Sequence, residues 1–326
     1  MVGRCIFHLL VALILSGAAL RAEDSARPGA AELAQVPLTA WQQLAFDEKT
    51  TKELQTELAA KDYGRVETTL VVRVAASEHP RLLLETLGGV LFLDAKYLEA
   101  AIAFKKAEKD GALSDGARFT LAMSYVELKR SDWARDELTR LSREKPAEPL
   151  YPYWMGRLDY DDQRFTDALA KFSRAIELDA RFARGYDGLG LVNQAMGNLE
   201  TAEKNYQQAN RLNREQGSKF AWPALNYGKL LRDASRYAEA RLLFQEALAI
   251  DPSMAKAHYE LGRLEEGLAE TDAAMLDFKA AARLDPQDPS PVYALYRLYN
   301  KAGETALAAA MISRFRELTA KSGSQR

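Results

Sequence analysis

The sequence predicts an all-α fold, a solenoid built from stacked antiparallel helix pairs. The prediction rests on a 34-residue period in the stretch from Ala221 to Pro286, which holds two copies of one pattern. The residues that recur 34 places later are Gly228 and Gly262, Ala240 and Ala274, Phe244 and Phe278, Ala247 and Ala281, and Pro252 and Pro286. A fixed period of this length with two short apolar segments is typical of a helical solenoid, in which each unit packs only on its neighbours.

The composition is that of an ordinary folded chain. Of the 326 residues, 48% are hydrophobic and 28% are charged, with a net charge of −2. These fractions are usual for soluble domains. Because the charge is nearly balanced, there is no global basic field to recruit a nucleic acid, and we exclude that class of partner.

Residues 1–22 have the layout of a secretory signal peptide. Arg4 gives a positive start, Ile6–Leu15 is almost continuously apolar, and small residues follow before a cleavage point after Ala18 or Ala22. The apolar run is shorter than the roughly 20 residues that a spanning helix needs. We therefore expect an exported protein, in a bacterial periplasm or outside the cell. The alternative is an uncleaved N-terminal anchor, which would be the only membrane contact.

The residues that usually carry chemistry are scarce. The only cysteine, Cys5, lies in the predicted signal peptide, so the mature chain has no thiol or disulfide. The two histidines that remain, His79 and His258, are far apart in the repeat array and are expected to be structural. The acidic run at 159–162 lacks the ligand spacing and glycine of a calcium loop and is interpreted as a solvated turn. We predict no catalytic residue, no metal site, no cofactor and no enzyme activity.

The period divides the rest of the chain. Residues 23–38 are rich in Pro, Gly, Ala and charge and are predicted to be a flexible leader. A helical pattern begins near Thr39, and residues 39–80 form a degenerate first repeat that caps the array. Seven repeats follow over 81–322, with a tail at 323–326; they begin at Arg81, Asp115, Pro149, Ala183, Ala221, Ala255 and Pro289.

One repeat is four residues longer than the others. It begins at Ala183 and ends before Ala221, and the extra residues fall between Asn213 and Phe220. This run is polar and contains Gly and Ser, so it predicts a lengthened loop or an extended second helix.

Three positions of the repeat indicate how each helix pair packs. Position 20 is Ala in every unit except the first, which has Val66. Position 8 is mostly small: Leu54, Gly88, Ala122, Gly156, Gly190, Gly228, Gly262 and Tyr296. Position 24 is bulky: Leu70, Phe104, Leu138, Phe172, Tyr206, Phe244, Phe278 and Ile312. Small residues let two helices approach closely, and we expect the bulky residue to fill the gap beside them.

This pattern resembles the tetratricopeptide repeat family, whose signature has the same small, Ala, Phe and Pro positions. The resemblance covers roughly 270 residues and is clearest in the repeats that begin at Pro149, Ala221 and Ala255. It is weakest over Asp47–Pro80 and after Pro289, as expected for terminal repeats that cap a stack. The resemblance implies a right-handed α-solenoid superhelix.

The resemblance also implies a binding groove. In this family the first helix of each pair lines the concave face, and positions 2, 5, 9 and 12 point into the groove. Carried over to this chain, these positions include a set of aromatic and basic residues: Tyr153, Arg157, Tyr160, Trp222, Lys229, Arg232, Lys256, Tyr259, Arg263, Tyr293 and Arg297.

Three Tyr–Arg pairs in this set are four residues apart, at 153/157, 259/263 and 293/297, so each pair shares one helix face. Tyr and Arg are enriched in interface anchors, and Arg holds carboxylates through a bidentate fork. We expect a protein or peptide partner that bears acidic groups. The alternative is that these side chains pack on neighbouring repeats and pair with local acids such as Asp187, Asp233 and Glu266.

Together these features predict an exported, non-enzymatic scaffold that binds a protein or peptide in its concave groove. The export signal and the resemblance favour a role in cell-envelope assembly, secretion or export. Two other classes stay open. The tyrosines could stack sugars in a glycan- or peptidoglycan-binding module, or the chain could be an accessory subunit of an envelope enzyme complex.

Overall fold

The computed structural model describes residue 44 and residues 46–323, with side chains as far as residue 320. These residues form sixteen α-helices and no β-strand, which confirms the all-α prediction for this part of the chain. The predicted signal peptide, the leader and residues 324–326 of the tail lie outside the described residues. None of the described helices has both the length and the apolar character that crossing a bilayer requires.

The chain divides between Asp179 and Ala180 into two units of helices. In the first unit α1 and α2 form the first pair, and three further pairs follow, with a short 3-10 turn after α4. Its helices are α1 (Glu48–Ala59), α2 (Tyr63–Ala76), α3 (Arg81–Leu93), α4 (Tyr97–Ala107), α5 (Asp115–Glu127), α6 (Ser131–Glu144), α7 (Leu150–Asp161) and α8 (Phe165–Leu178).

The second unit also consists of four helix pairs. Its helices are α9 (Ala183–Ala195), α10 (Leu199–Glu215), α11 (Trp222–Asp233), α12 (Tyr237–Ile250), α13 (Ala255–Gly267), α14 (Thr271–Leu284), α15 (Pro289–Lys301) and α16 (Thr305–Gly323). Helix α10 has 17 residues against 14 in α12. Three of the four extra residues of this repeat therefore extend the second helix, and the fourth lies in the short loop that leads from it to α11.

Several helix starts are fixed by side chains that cap the first turn. Asp47 accepts a hydrogen bond of 2.8 Å from the backbone N–H of Thr50 before α1. Ser114 caps α5, and Asp288 caps α15 by accepting a bond of 2.8 Å from the N–H of Ser290. Each cap satisfies one of the N–H groups that the first turn of a helix leaves without a partner.

The turn inside each helix pair has the same backbone conformation in all eight pairs. Position 15 of the repeat adopts a positive φ, between 57° and 82°. The residues are Lys61, Ala95, Lys129, Gln163, Gly197, Ser235, Ala269 and Gly303. After α3 the N–H of Lys96 donates to the carbonyl of Leu91 at 2.9 Å, the bond that closes a Schellman turn. Only two of the eight positions hold glycine, so the other six accept some backbone strain.

Replacing Ala269 by Gly is expected to stabilise the second unit by about 0.5 kcal/mol. The left-handed conformation costs a non-glycine residue about 1–2 kcal/mol, and the greater freedom of glycine in the unfolded chain cancels about 0.5–1 kcal/mol of the gain. Urea unfolding followed by circular dichroism measures the change. Ala274→Gly, in the interior of α14, is the control and should destabilise. A loss of stability in both variants would contradict the prediction.

The cores of the five helix pairs that have glycine at position 8 confirm the packing expected at positions 8 and 24. A Cβ atom added to a position-8 glycine would lie 2.4–2.9 Å from the ring sixteen residues later, which is closer than side chains approach. The pairs are Gly88–Phe104, Gly156–Phe172, Gly190–Tyr206, Gly228–Phe244 and Gly262–Phe278. All five rings are almost completely buried. Glycine therefore sets how closely the two helices of a pair approach.

Candidate functional site

The predicted groove residues of the first unit lie on α7, and most of them are buried. Tyr153 is completely buried, and its ring packs against Trp154 at 5.7 Å and Phe172 at 5.8 Å. Arg157 is also buried, with its guanidinium 6.0 Å from the ring of the half-buried Tyr160. Tyr153 is thus part of the core of the α7–α8 pair.

The second unit carries the other eight predicted residues on α11, α13 and α15. Trp222 is buried at the start of α11. Arg232, at the end of that helix, is held by two carboxylates: it forms an ion pair with Asp233 at 2.7 Å and a second with Glu260 of α13. Glu260 also pairs with Arg263 at 3.2 Å. One buried carboxylate thus connects two arginines of adjacent repeats.

Two of the three Tyr–Arg pairs stack as their spacing predicts. Arg263 lies over Tyr259 and Arg297 lies over Tyr293, each at 5.9 Å from the ring centroid. The third pair differs because the ring of Tyr153 belongs to the core, so Arg157 stacks on Tyr160 instead. Stacking of this kind holds the guanidinium in one orientation and contributes about 0.5–1 kcal/mol at an exposed site.

The local acids pair largely as the alternative interpretation expected. Asp233 binds Arg232, and Glu266 binds Arg297 at 2.7 Å. Asp187 is buried and accepts hydrogen bonds of 3.0 and 3.2 Å from the amide of Asn226. These arginines are therefore anchored within the protein before any partner arrives.

Two lysines differ from the arginines. Lys229 of α11 and Lys256 of α13 are half-buried, and within residues 46–323 neither ammonium makes a hydrogen bond or an ion pair. Burial is the main reason that the pKa of Lys229 is lowered; the carboxylate of Glu260 opposes the shift, while the charges of Lys256 and Arg232 add to it. The uncompensated positive charge of this surface therefore lies on the lysines.

The residues that organise this surface include two that the groove positions omitted. Glu260 and Asn226 both occupy position 6 of their repeats, and both are buried. Glu260 lies three residues before Arg263, a spacing that favours an ion pair on a helix. That spacing was the available sequence signal for Glu260. Its bond to Arg232 joins different helices and could not be read from spacing.

The acidic run at the end of α7 corrects one interpretation. Asp159 is buried and accepts hydrogen bonds from Arg135 at 2.7 Å and Arg164 at 2.6 Å, and Asp162 pairs with the same two arginines. A solvated turn was the wrong description of Asp159, because arginines from α6 and from the turn before α8 converge on its carboxylate. Among the described residues, no group of three or more acids and histidines is arranged to hold a metal ion.

Comparison with known families identifies the repeat. Two tetratricopeptide repeat models match residues 181–253 and 255–288, which together cover α9 to α14. Superkiller protein 3 of Schizosaccharomyces pombe is 24% identical over 211 residues, a match that covers 53% of this chain and 15% of that protein.

Solved structures agree with this match at the level of the fold. A tetratricopeptide repeat protein from Parabacteroides merdae superposes with a TM-score of 0.59 at 19% identity, covering 85% of this chain and 99% of that one. PilW, described as a type IV pilus biogenesis factor, gives a TM-score of 0.53 at 15% identity, with 62% and 92% covered. The repeat matches, the glycine–aromatic packing and these folds lead to one conclusion: residues 181–288 are tetratricopeptide repeats, and the described helices have the fold of tetratricopeptide repeat proteins.

Proposed function

We propose that the chain is a non-enzymatic scaffold that binds an acidic segment of a partner protein on α11 and α13. The observation that carries the proposal is the half-buried Lys229, which has no ion pair within the described residues and lies near Lys256. A half-buried ammonium without a partner is unfavourable, because burial removes water without replacing its hydrogen bonds. A carboxylate from another protein would supply charge-assisted hydrogen bonds to both lysines.

The contacts of the other predicted residues indicate which of them can reach a ligand. Arg232 is nearly enclosed by Asp233 and Glu260, so its role is to position α11 against α13. Arg263 is 44% exposed and lies over Tyr259, which places it at the border of the surface where it can contact a ligand. The proposed site therefore centres on the two lysines, with Tyr259 and Arg263 beside them.

An acidic peptide fits this surface better than a sugar does. Glycan binding through stacking requires exposed ring faces, yet Tyr153 is buried and Tyr259 packs on Phe278 at 5.7 Å. Of the three tyrosines in the predicted Tyr–Arg pairs, only Tyr293 is an exposed residue. The positive charge that Lys229 and Lys256 leave uncompensated instead favours a ligand with carboxylates.

The Lys229→Ala/Lys256→Ala double variant is expected to weaken binding of acidic peptides at least 10-fold. Short peptides would be selected from a random phage library on the full chain, and their dissociation constants measured by fluorescence anisotropy. We expect the selected peptides to contain Asp or Glu, because each lysine contributes a charge-assisted hydrogen bond worth about 1.5–3 kcal/mol. The control is Lys204→Ala, on the second helix α10, where Lys204 already pairs with Glu200 at 2.6 Å.

Two outcomes would overturn the proposed site. One is a set of selected peptides without acidic residues; the other is equal affinity for the double variant and the Lys204→Ala control. Salt supplies a further check, since binding that depends on exposed charges weakens as ionic strength rises, whereas sugar stacking hardly changes.

We further propose that the scaffold works in the cell envelope. The support is the signal-peptide pattern of residues 1–22 together with the fold shared with PilW, which is described as a pilus biogenesis factor. Mass spectrometry of the chain recovered from fractionated cells tests this proposal. A periplasmic or secreted chain beginning at Ala19 or Glu23 is expected, and a cytoplasmic chain with an intact N-terminus would contradict it.

A further inference from the structure

One arginine of the predicted groove, in the first unit, is buried with no partner for its charge among the described residues. Arg157 of α7 is only 5% exposed, and along residues 46–320 its guanidinium makes neither an ion pair nor a hydrogen bond. Its contact with the ring of Tyr160, at 6.0 Å, offsets little of the cost of burying a charge. The guanidinium cannot lose its charge and carries five N–H donors, so it needs an acceptor.

The arginines at the same repeat position in the second unit do have partners. Arg263 forms an ion pair at 3.2 Å with Glu260, three residues earlier on the same helix. Arg297 forms one at 2.7 Å with Glu266, which occupies position 12 of the preceding repeat. Both arginines are also exposed, so water shares in solvating their charge. An arginine at position 9 can therefore take a carboxylate from either of two places in the repeat.

Next to Arg157 both of those places hold apolar side chains. Trp154 lies three residues before Arg157, at the repeat position of Glu260. Val126 occupies position 12 of the preceding repeat, which is the position of Glu266. Trp154 and Val126 are both buried. The first unit thus keeps the arginine but lacks the two carboxylates that neutralise its counterparts.

Trp154 adds a second donor to this place. Its buried indole Nε1–H has no hydrogen-bond acceptor in the part of the chain that the structure describes. Buried tryptophan N–H groups usually find an acceptor, because a buried donor without one costs free energy. Trp154 and Arg157 are three residues apart, so their side chains are neighbours on the surface of α7. Two neighbouring buried donors that lack acceptors favour the binding of an anion.

The side chains that face these donors from α5 are apolar. Helices α5 and α7 are in contact through Phe119, whose ring lies 6.5 Å from that of Trp154. One and two turns further along α5 come Met123 and Val126, both buried. Because the first helices of successive pairs run in the same direction, Met123 is about level with Arg157. A ligand that reaches the two donors therefore also meets apolar walls.

We propose that Arg157 and Trp154 form a binding site for a carboxylate that is attached to an apolar body. The carboxylate would take the place of the internal carboxylates that the other arginines at position 9 have, and the guanidinium fork can hold both of its oxygens. The indole N–H supplies a further donor, while Met123 and Val126 cover the apolar body. The site lies wholly in the first unit and does not rest on the proposed function.

Two sources can supply such a group: a free organic acid, and a glutamate within an apolar protein segment. Isothermal titration calorimetry on the full chain tests them with decanoate and with the blocked peptide acetyl-Leu-Glu-Leu-amide. Decanol and acetyl-Leu-Gln-Leu-amide have the same apolar bodies without the charge and should bind about 10-fold more weakly or less. Binding of decanoate alone assigns the site to organic acids, and binding of the peptide alone assigns it to a protein segment.

Replacing Arg157 by Met separates a ligand site from a structural arginine. The dissociation constant of the bound probe should rise about 10-fold or more, because charge-assisted hydrogen bonds are lost. The thermal unfolding midpoint without ligand should rise, because the substitution removes a buried charge that has no partner. Arg297→Met is the control at the same repeat position: its arginine is exposed and paired, so neither the affinity nor the midpoint should rise.

Three results would overturn the proposal. They are the absence of binding by both probes, equal affinity of the wild type and Arg157→Met, and a lower midpoint of that variant, which would indicate a partner for Arg157 inside the protein. If Arg157→Met does not fold, the wild type decides. The indole N–H signal that Trp154→Phe removes should then shift in NMR spectra on addition of decanoate but not of decanol, and a signal that stays in place would reject the site.

Discussion

Truncating Phe278 to Ala is expected to destabilise the second unit by about 3–5 kcal/mol, the cost of removing a buried aromatic ring when the cavity cannot close. The ring is completely buried between Gly262 and the ring of Tyr259, and its cluster includes Ala274, Leu295 and Leu298. Gly262, on one side of the ring, has no side chain with which to fill the space. Because the cluster joins α14 to α15, the loss should affect two successive repeats.

Urea unfolding followed by circular dichroism measures this change, and hydrogen exchange locates it. Leu276→Ala is the matched control, since Leu276 lies on the same helix and is 69% exposed. It should change the stability by less than about 0.5 kcal/mol. Equal effects of the two substitutions would show that the core of this repeat lies elsewhere.

Placing a methyl group at Gly190 is expected to destabilise the α9–α10 pair by about 2 kcal/mol, because the added group overpacks a filled core. The added Cβ of Gly190→Ala would lie 2.4 Å from the ring of Tyr206, the closest of all the position-8 contacts. The ring cannot move aside easily, because its hydroxyl donates to Gln194 at 2.8 Å and its face stacks on Tyr227. Overpacking of this kind costs about 1–3 kcal/mol, which at this contact exceeds the gain of about 1 kcal/mol for replacing a helical glycine.

The same substitution at Gly64 should have the opposite sign. Gly64 lies in the first turn of α2, and an added Cβ there meets nothing within 4 Å. Gly64→Ala is expected to stabilise by up to about 1 kcal/mol, since only the helical preference and the unfolded chain change. Thermal unfolding of both variants gives the comparison. If both stabilise the protein, the close approach of α9 and α10 is not maintained in solution.

The candidate site shows where prediction from the sequence reaches its limit. The repeat positions of Lys229, Arg232 and Arg263 predicted that all three lie on the first helix of a pair. The i,i+4 spacing predicted the stacking of Arg263 on Tyr259. Spacing along the sequence could not show that Lys229 has no ion pair among the described residues whereas Arg232 has two. That difference depends on Glu260, which comes from the next repeat and meets Arg232 across 28 residues of sequence. Tyr153 and Tyr259 occupy the same repeat position, yet one is buried and the other is half-buried, because exposure depends on what packs over each helix.

The sequence by itself determined the helices, their pairing and the glycine–aromatic contacts, because each of these follows from local periodicity that recurs in successive repeats. It did not indicate the left-handed turn residues: in six of the eight pairs the turn holds Lys, Ala, Gln or Ser, and the tight connection between two packed helices imposes the conformation. The tertiary structure alone decided which charges are satisfied. Arg232 pairs with Glu260 and Arg297 pairs with Glu266 across different helices, and no spacing along the chain specifies those two contacts.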